Sequence, residues 1–179
     1  MIPKPEECFL LLKKFEVPEH VIEHSRRVHE VALYLCQMLK RSGEQLDQAQ
    51  VEAGSLLHDI AKVRTLGSGD NHSQAGARLL LKLGFPEVAE IVRQHVVLDA
   101  GTDPKRITEA EVVHYADKRV RHTAVVSLGE RFQDLKTRYG KSPGAQAWLE
   151  DLEQQGRLLE QRLFQKIPPL PEDLTGIGK

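Results

Sequence analysis

Along nearly the whole chain, apolar residues recur at the three-to-four-residue spacing of an amphipathic helix, and alternating runs are few. Such a pattern restricts the fold to helices packed on helices. The same pattern is interrupted in a consistent way. Val21, His24, Val28, Val31, Leu35 and Leu39 share one face, with His24 in the middle of the stripe. His58 and Asp59 interrupt Leu56, Leu57, Ile60 and Ala61. His95 follows Val88, Ile91 and Val92, and Asp117 sits among Val113, Ala116 and Val120. Taken singly, each has an ordinary reading. His24 could be a hydrogen-bonded core histidine, Asp117 could pair with Arg121 one turn on, and a His-Asp dipeptide is common. Together, four helices would each carry an imidazole or carboxylate into apolar surroundings. A buried, unpaired carboxylate is costly. A divalent cation would offset that cost by holding the ligands deprotonated and satisfying their lone pairs. Mixed His and Asp ligands suit Fe, Mn, Ni, Co or Zn better than Ca, and Mg is compatible.

The spacing predicts an all-α bundle of about six to seven helices: 5–15, 18–43, 47–62, 72–83, 86–98, 108–139 with a bend at Gly129, and 143–166. Thr108 and Glu111 form a capping-box pair at the start of the sixth. Loops are expected at 67–71 and at 99–108, the latter containing Gly101 and Pro104. One domain is expected over 1–166, followed by a Pro- and Gly-rich tail, 167–179, that is extended or poorly ordered.

Composition excludes several classes. The 179 residues carry 25 Lys plus Arg against 26 Asp plus Glu, a net charge of −1, so no basic surplus points to nucleic acid or an anionic membrane. No apolar run approaches membrane length. The N-terminal stretch lacks the features of a signal peptide. Cys8 and Cys36 lie among apolar residues and read as reduced core thiols of a cytoplasmic protein. No phosphate-binding G-x-x-x-x-G-K-S/T loop, nucleophile elbow or zinc-finger spacing occurs.

The order of these residues carries a resemblance. His24-Ser25-Arg26-Arg27-Val28, then Leu56-Leu57-His58-Asp59-Ile60-Ala61-Lys62, then Tyr115-Ala116-Asp117-Lys118 is similar to the H…HD…D signature of the HD-domain superfamily of metal-dependent phosphohydrolases. Ala61 stands where the HDIG variant has glycine. The resemblance covers about residues 18–125 and implies a compact HD-domain helical bundle. His72, within His72-Ser73-Gln74-Ala75-Gly76-Ala77, and His95 resemble a further pair that supplies a second metal in small bacterial members. The branch most resembled is that of symmetrical diadenosine tetraphosphate hydrolases. This chain departs from it after the last Asp, where it reads Lys118-Arg119-Val120-Arg121-His122.

The resemblance implies one or two ions held by His24, His58, Asp59, His72, His95 and Asp117, with Asp59 bridging. Such a site activates water for attack on phosphorus. Asp59 and Lys62 are the expected catalytic residues. Lys62 and Arg27 are the expected phosphate binders, followed by Lys118 and Arg121. The expected substrate is a small-molecule phosphate, a nucleotide or dinucleoside polyphosphate. Dimerisation through one amphipathic face is compatible with a domain of this size. Two other readings stay open: a catalytically weak, metal-stabilised module that senses nucleotides or binds a partner, and a metal-free polar core. His20, His29 and His122 are expected at the surface, and His114 either beside Asp117 or at the surface. Trp148 is expected to serve packing rather than substrate stacking.

Overall fold

The computed structural model describes residues 1–67, 69–100 and 103–177. Residues 68, 101, 102, 178 and 179, which belong to the two expected loops and the tail, lie outside the described residues. Among the described residues the chain forms eight α-helices: α1 (Pro5–Lys14), α2 (Glu19–Arg41), α3 (Gln48–Leu57), α4 (His72–Lys82), α5 (Pro86–Gln94), α6 (Glu109–Lys118), α7 (Leu128–Tyr139) and α8 (Pro143–Phe164). A two-stranded antiparallel hairpin, β1 (Val120–Arg121) and β2 (Ala124–Val125), separates α6 from α7. None of these helices is long and apolar enough to cross a membrane.

Local chemistry explains most starts and stops. Asp47 and Asn71 accept the free N–H groups that open α3 and α4. Capping boxes open α6 (Thr108 with Glu111) and α7 (Ser127 with Glu130). Apolar faces then meet in two clusters. One joins α2, α6, α7 and α8 through residues such as Val31, Leu35, Val113, Phe132 and Leu163. The other joins α1, α3, α4 and α5 through Leu12, Leu56, Leu80 and Val88. Cys8 and Cys36 are buried free thiols, and burial pushes the Cys8 thiol up to about 12.

Four expectations are corrected. The third helix was expected to reach residue 62, but α3 ends at Leu57. Beyond it, Ile60 N–H bonds to Leu57 O at 3.0 Å and Lys62 N–H to Asp59 O at 3.0 Å, the tighter three-residue pattern of a frayed terminus. The fifth helix stops at Gln94 rather than 98, because side chains from α6 take the backbone at its end: Lys118 Nζ bonds to His95 O at 3.0 Å, and His114 faces the backbone of Gln94 and His95. The expected helix 108–139 is two helices. Arg119 pairs twice with Val126, its carbonyl accepting Val126 N–H at 2.8 Å and its Nε donating to Val126 O at 2.7 Å, and this closes the hairpin. The hairpin makes a seventh helix into an eighth. Lastly, the tail is not extended: Pro171–Gly176 forms a 3-10 helix with Leu174 fully buried, and Arg119 Nη2 donates to Pro171 O at 2.8 Å.

The close approach of α3 to α5 depends on Gly54. A Cβ there would lie 2.6 Å from Ile91 Cγ2 on α5, within a filled core. Gly54→Ala is expected to lower unfolding free energy by about 1–3 kcal/mol in denaturant titration. An unchanged midpoint would mean that the two helices have slack.

Candidate metal centre

Six side chains predicted from separate stretches meet in one place. His24 comes from α2, His58 and Asp59 from the turn after α3, His72 from the first turn of α4, His95 from the end of α5 and Asp117 from α6. All but His72 are buried. His58 caps α3 and Asp59 lies in the turn beyond it, and both side chains enter the same buried space.

The histidines are oriented by backbone. His58 Nδ1 donates to Ser55 O at 2.7 Å, His95 Nδ1 to Val92 O at 2.7 Å and His24 Nδ1 to His122 O at 2.8 Å. In a neutral imidazole, an Nδ1 proton given to a carbonyl leaves the lone pair on Nε2, the form that binds metal. The carbonyl for His24 is supplied at the hairpin turn, where His122 adopts a left-handed φ of 56°. The hairpin therefore positions a residue nearly a hundred positions earlier in the chain.

Around Asp59 the Nε2 atoms form two groups. His58 Nε2 lies 3.4 Å from Asp59 Oδ2, while His72 and His95 Nε2 lie 3.4 and 3.7 Å from Oδ1. Asp117 Oδ1 lies 3.2 Å from His24 Nε2 and 3.7 Å from His58 Nε2. Two sets, His24-His58-Asp59 and Asp59-His72-His95, bring ligand atoms close enough to hold an ion each, and Asp59 belongs to both. His58 Nε2 is buried with no hydrogen-bond partner among the described residues, an arrangement that is costly without a bound cation. His72 and His95 Nε2 stand 3.0 Å apart, a fitting separation for two nitrogens on one ion. The residues present fit divalent transition metal, one or two ions.

Charge is tightly coupled here. Burial opposes ionisation of Asp59 and Asp117, but the neighbouring imidazoles with Lys62 (for Asp59) and Lys118 (for Asp117) overcome it, holding both carboxyls well below their usual range. Burial, reinforced by His58, drives His95 well below the ordinary imidazole value and so keeps it neutral. His114 is fully buried and pushed down to about 3; of the two places expected for it, it takes the one beside the site. Lys118 is buried too, its Nζ spanning Asp117 Oδ2 at 2.8 Å and His95 O at 3.0 Å.

The centre forms the floor of a cavity of about 560 Å³. Lys62 lines it and donates to Asp59 Oδ2 at 2.6 Å, as expected of a residue close to the site. Two expected phosphate binders do not reach it. Arg27 donates at 2.5 Å to both Glu30 and the Ile177 carbonyl, so its guanidinium ties the C-terminal segment to α2. Arg121, on β1, is absent from the cavity wall. Asp117 pairs with Lys118 and His24, not with Arg121. Sequence reasoning missed Arg131 and Arg138, which line the cavity from α7; treating 108–139 as one helix hid the face they share. Trp148 is also corrected: 47% exposed, it lines the cavity rather than packing in the core. His20 and His122 are exposed as expected, whereas His29 is half-buried against Ser55 Oγ.

Comparison with known proteins agrees with this arrangement. The HD domain family model matches residues 21–121, and the chain belongs to that family. It is 33% identical over 150 residues to an uncharacterized protein of Methanocaldococcus jannaschii, covering 76% of this chain and 87% of that protein. It is 30% identical over 95 residues to a tRNA (cytidine(56)-2'-O)-methyltransferase of Picrophilus torridus, covering 52% of this chain but only 26% of that enzyme. A solved predicted HD superfamily hydrolase from an uncultured Thermotogales bacterium is 20% identical, with a TM-score of 0.48 over 89% of this chain and 91% of that one.

Removing the ammonium that steadies Asp117 tests the electrostatics. Lys118→Met is expected to weaken Mn²⁺ binding about 10–100-fold by calorimetry while helical circular dichroism persists. Equal affinity would assign Lys118 to packing alone.

Proposed function

We propose that the chain is a metal-dependent phosphohydrolase that cleaves a phosphoester or phosphoanhydride bond in a nucleotide or dinucleoside polyphosphate. One observation carries the reading: four imidazoles, three of them locked by backbone carbonyls, converge with two ionised carboxylates at the floor of a cavity with cationic walls. His24, His58, Asp59, His72, His95 and Asp117 would hold one or two divalent ions, with Asp59 shared. A bound ion supplies Lewis-acid activation of water and of the phosphoryl group.

The chain's own residues supply the rest. Asp59 and Asp117 keep negative charge at the floor, where it balances the bound cation. Lys62 stays charged although burial opposes it, because Asp59 and Asp117 favour the ammonium. Its Nζ is part-exposed to the cavity and can pass from Asp59 to a phosphoryl oxygen as the substrate enters. Lys118 also lines the cavity, with its Nζ engaged by Asp117 Oδ2 and His95 O, so it steadies that carboxylate at the cavity wall. The cavity volume falls within the range of small-molecule sites, which agrees with a substrate of nucleotide size.

Phosphate release from a panel of nucleoside mono-, di- and dinucleoside polyphosphates, assayed with added Mn²⁺, Fe²⁺, Ni²⁺ or Mg²⁺, tests the proposal. At least one pair is expected to turn over, EDTA is expected to abolish it, and Asp59→Asn is expected to reduce it by more than about 100-fold with loss of bound metal. Turnover unaffected by EDTA and by Asp59→Asn would overturn the reading, as would silence across the whole panel in metal-loaded protein.

A further inference from the structure

The outer wall of the cavity comes from α7 and α8, beyond the residues matched by the family model. On α7, Arg131, Leu135 and Arg138 follow the spacing of a single helix face. Asp134, on that same face, steadies both arginines, accepting from Arg131 Nη1 at 3.3 Å and from Arg138 Nε at 3.0 Å. Arg131 has a side chain only 12% exposed, and its Nε is buried without a hydrogen-bond partner. Arg131 lines the same cavity as Asp117 and Lys62.

The cavity therefore has two ends of different chemistry. At the floor, Asp59 and His95 are almost inaccessible, and on the wall Arg131 carries an Nε with no hydrogen-bond partner among the described residues. At the mouth, Trp148 and Tyr139 are 47% and 59% exposed, and Leu149 and Leu152 of α8 extend the wall in apolar side chains. A buried guanidinium near the metal ligands suits a phosphoryl oxygen. An indole at the mouth of an apolar wall suits the face of a planar ring.

We propose that the α7–α8 hairpin determines specificity: Arg131 anchors a phosphoryl oxygen, and Trp148, flanked by Tyr139, stacks on the base of a nucleoside phosphate. The assignment rests on the hydrolase reading of the same site, and it names the residues that separate nucleotides from base-free phosphates.

Trp148 is the sole tryptophan, so its emission reports the contact without turnover. Titration with AMP is expected to quench it saturably, whereas ribose 5-phosphate at the same concentrations is expected to leave it unchanged. Arg131→Met is expected to raise the AMP dissociation constant about 10-fold in that titration. In metal-loaded protein, Trp148→Ala is expected to raise KM for AMP about 10-fold, with kcat held and ribose 5-phosphate unaffected, and Trp148→Phe to restore most of the loss. Emission indifferent to AMP, or equal KM values in wild type and Trp148→Ala, would overturn the proposal. If ribose 5-phosphate is hydrolysed as well as AMP and neither changes emission, the specificity arm falls and the hydrolase reading stands. If AMP quenches saturably but no substrate releases phosphate with any metal, the stacking wall stands and the hydrolase reading falls.

Discussion

Everything in this fold answers to two carboxylates that stay ionised while buried. Asp59 and Asp117 sit beneath a layer of imidazoles, and neither would keep its charge in an apolar bundle without cationic partners. Lys62 and Lys118 supply part of that compensation, one at each carboxylate. His24, His58 and His95 are oriented by Nδ1 bonds to backbone carbonyls, which turns their Nε2 atoms toward the two carboxylates. A divalent ion completes the balance, and the orphaned Nε2 of His58 marks where it is most needed.

Positioning explains the irregular parts of an otherwise regular bundle. Each departure from continuous helix lies where it directs a ligand. The turn after Leu57 carries Asp59 beside His58, and the two side chains share one space. The early end of α5 lets His95 bond its own helix's carbonyl and present Nε2 inward. The β hairpin after α6 delivers the His122 carbonyl to His24. Even the tail has a role in this framework, since Arg119 and Arg27 hold Pro171 and Ile177 by their carbonyls and so pin the C-terminal segment against the α2 and α6 side of the bundle.

Much of this was legible in the sequence, and the reasons are physical. Helical periodicity is strong in an amphipathic bundle, so the number and order of most helices could be read. An ionisable residue on an apolar stripe is rare enough to flag, and the five flagged this way meet in space with His72, which only the family resemblance added. What escaped depended on tertiary contacts. The hairpin residues Val120, Thr123, Val125 and Val126 are β-branched, a local preference that the flanking helical periodicity masks. Arg27 lies one turn from His24, and spacing alone could not show that it turns toward Ile177. Arg131, Arg138 and Trp148 enter the cavity only because α7 and α8 fold back over it, a placement that no local pattern encodes.

Crystals grown with Mn²⁺ and measured for anomalous scattering test the centre most directly. Density between the Asp59 carboxylate and the Nε2 atoms of His24 and His58, with or without a second peak toward His72 and His95, is the predicted result. Anomalous density elsewhere, with those side chains hydrogen-bonded only to one another, would contradict a metal centre at this site.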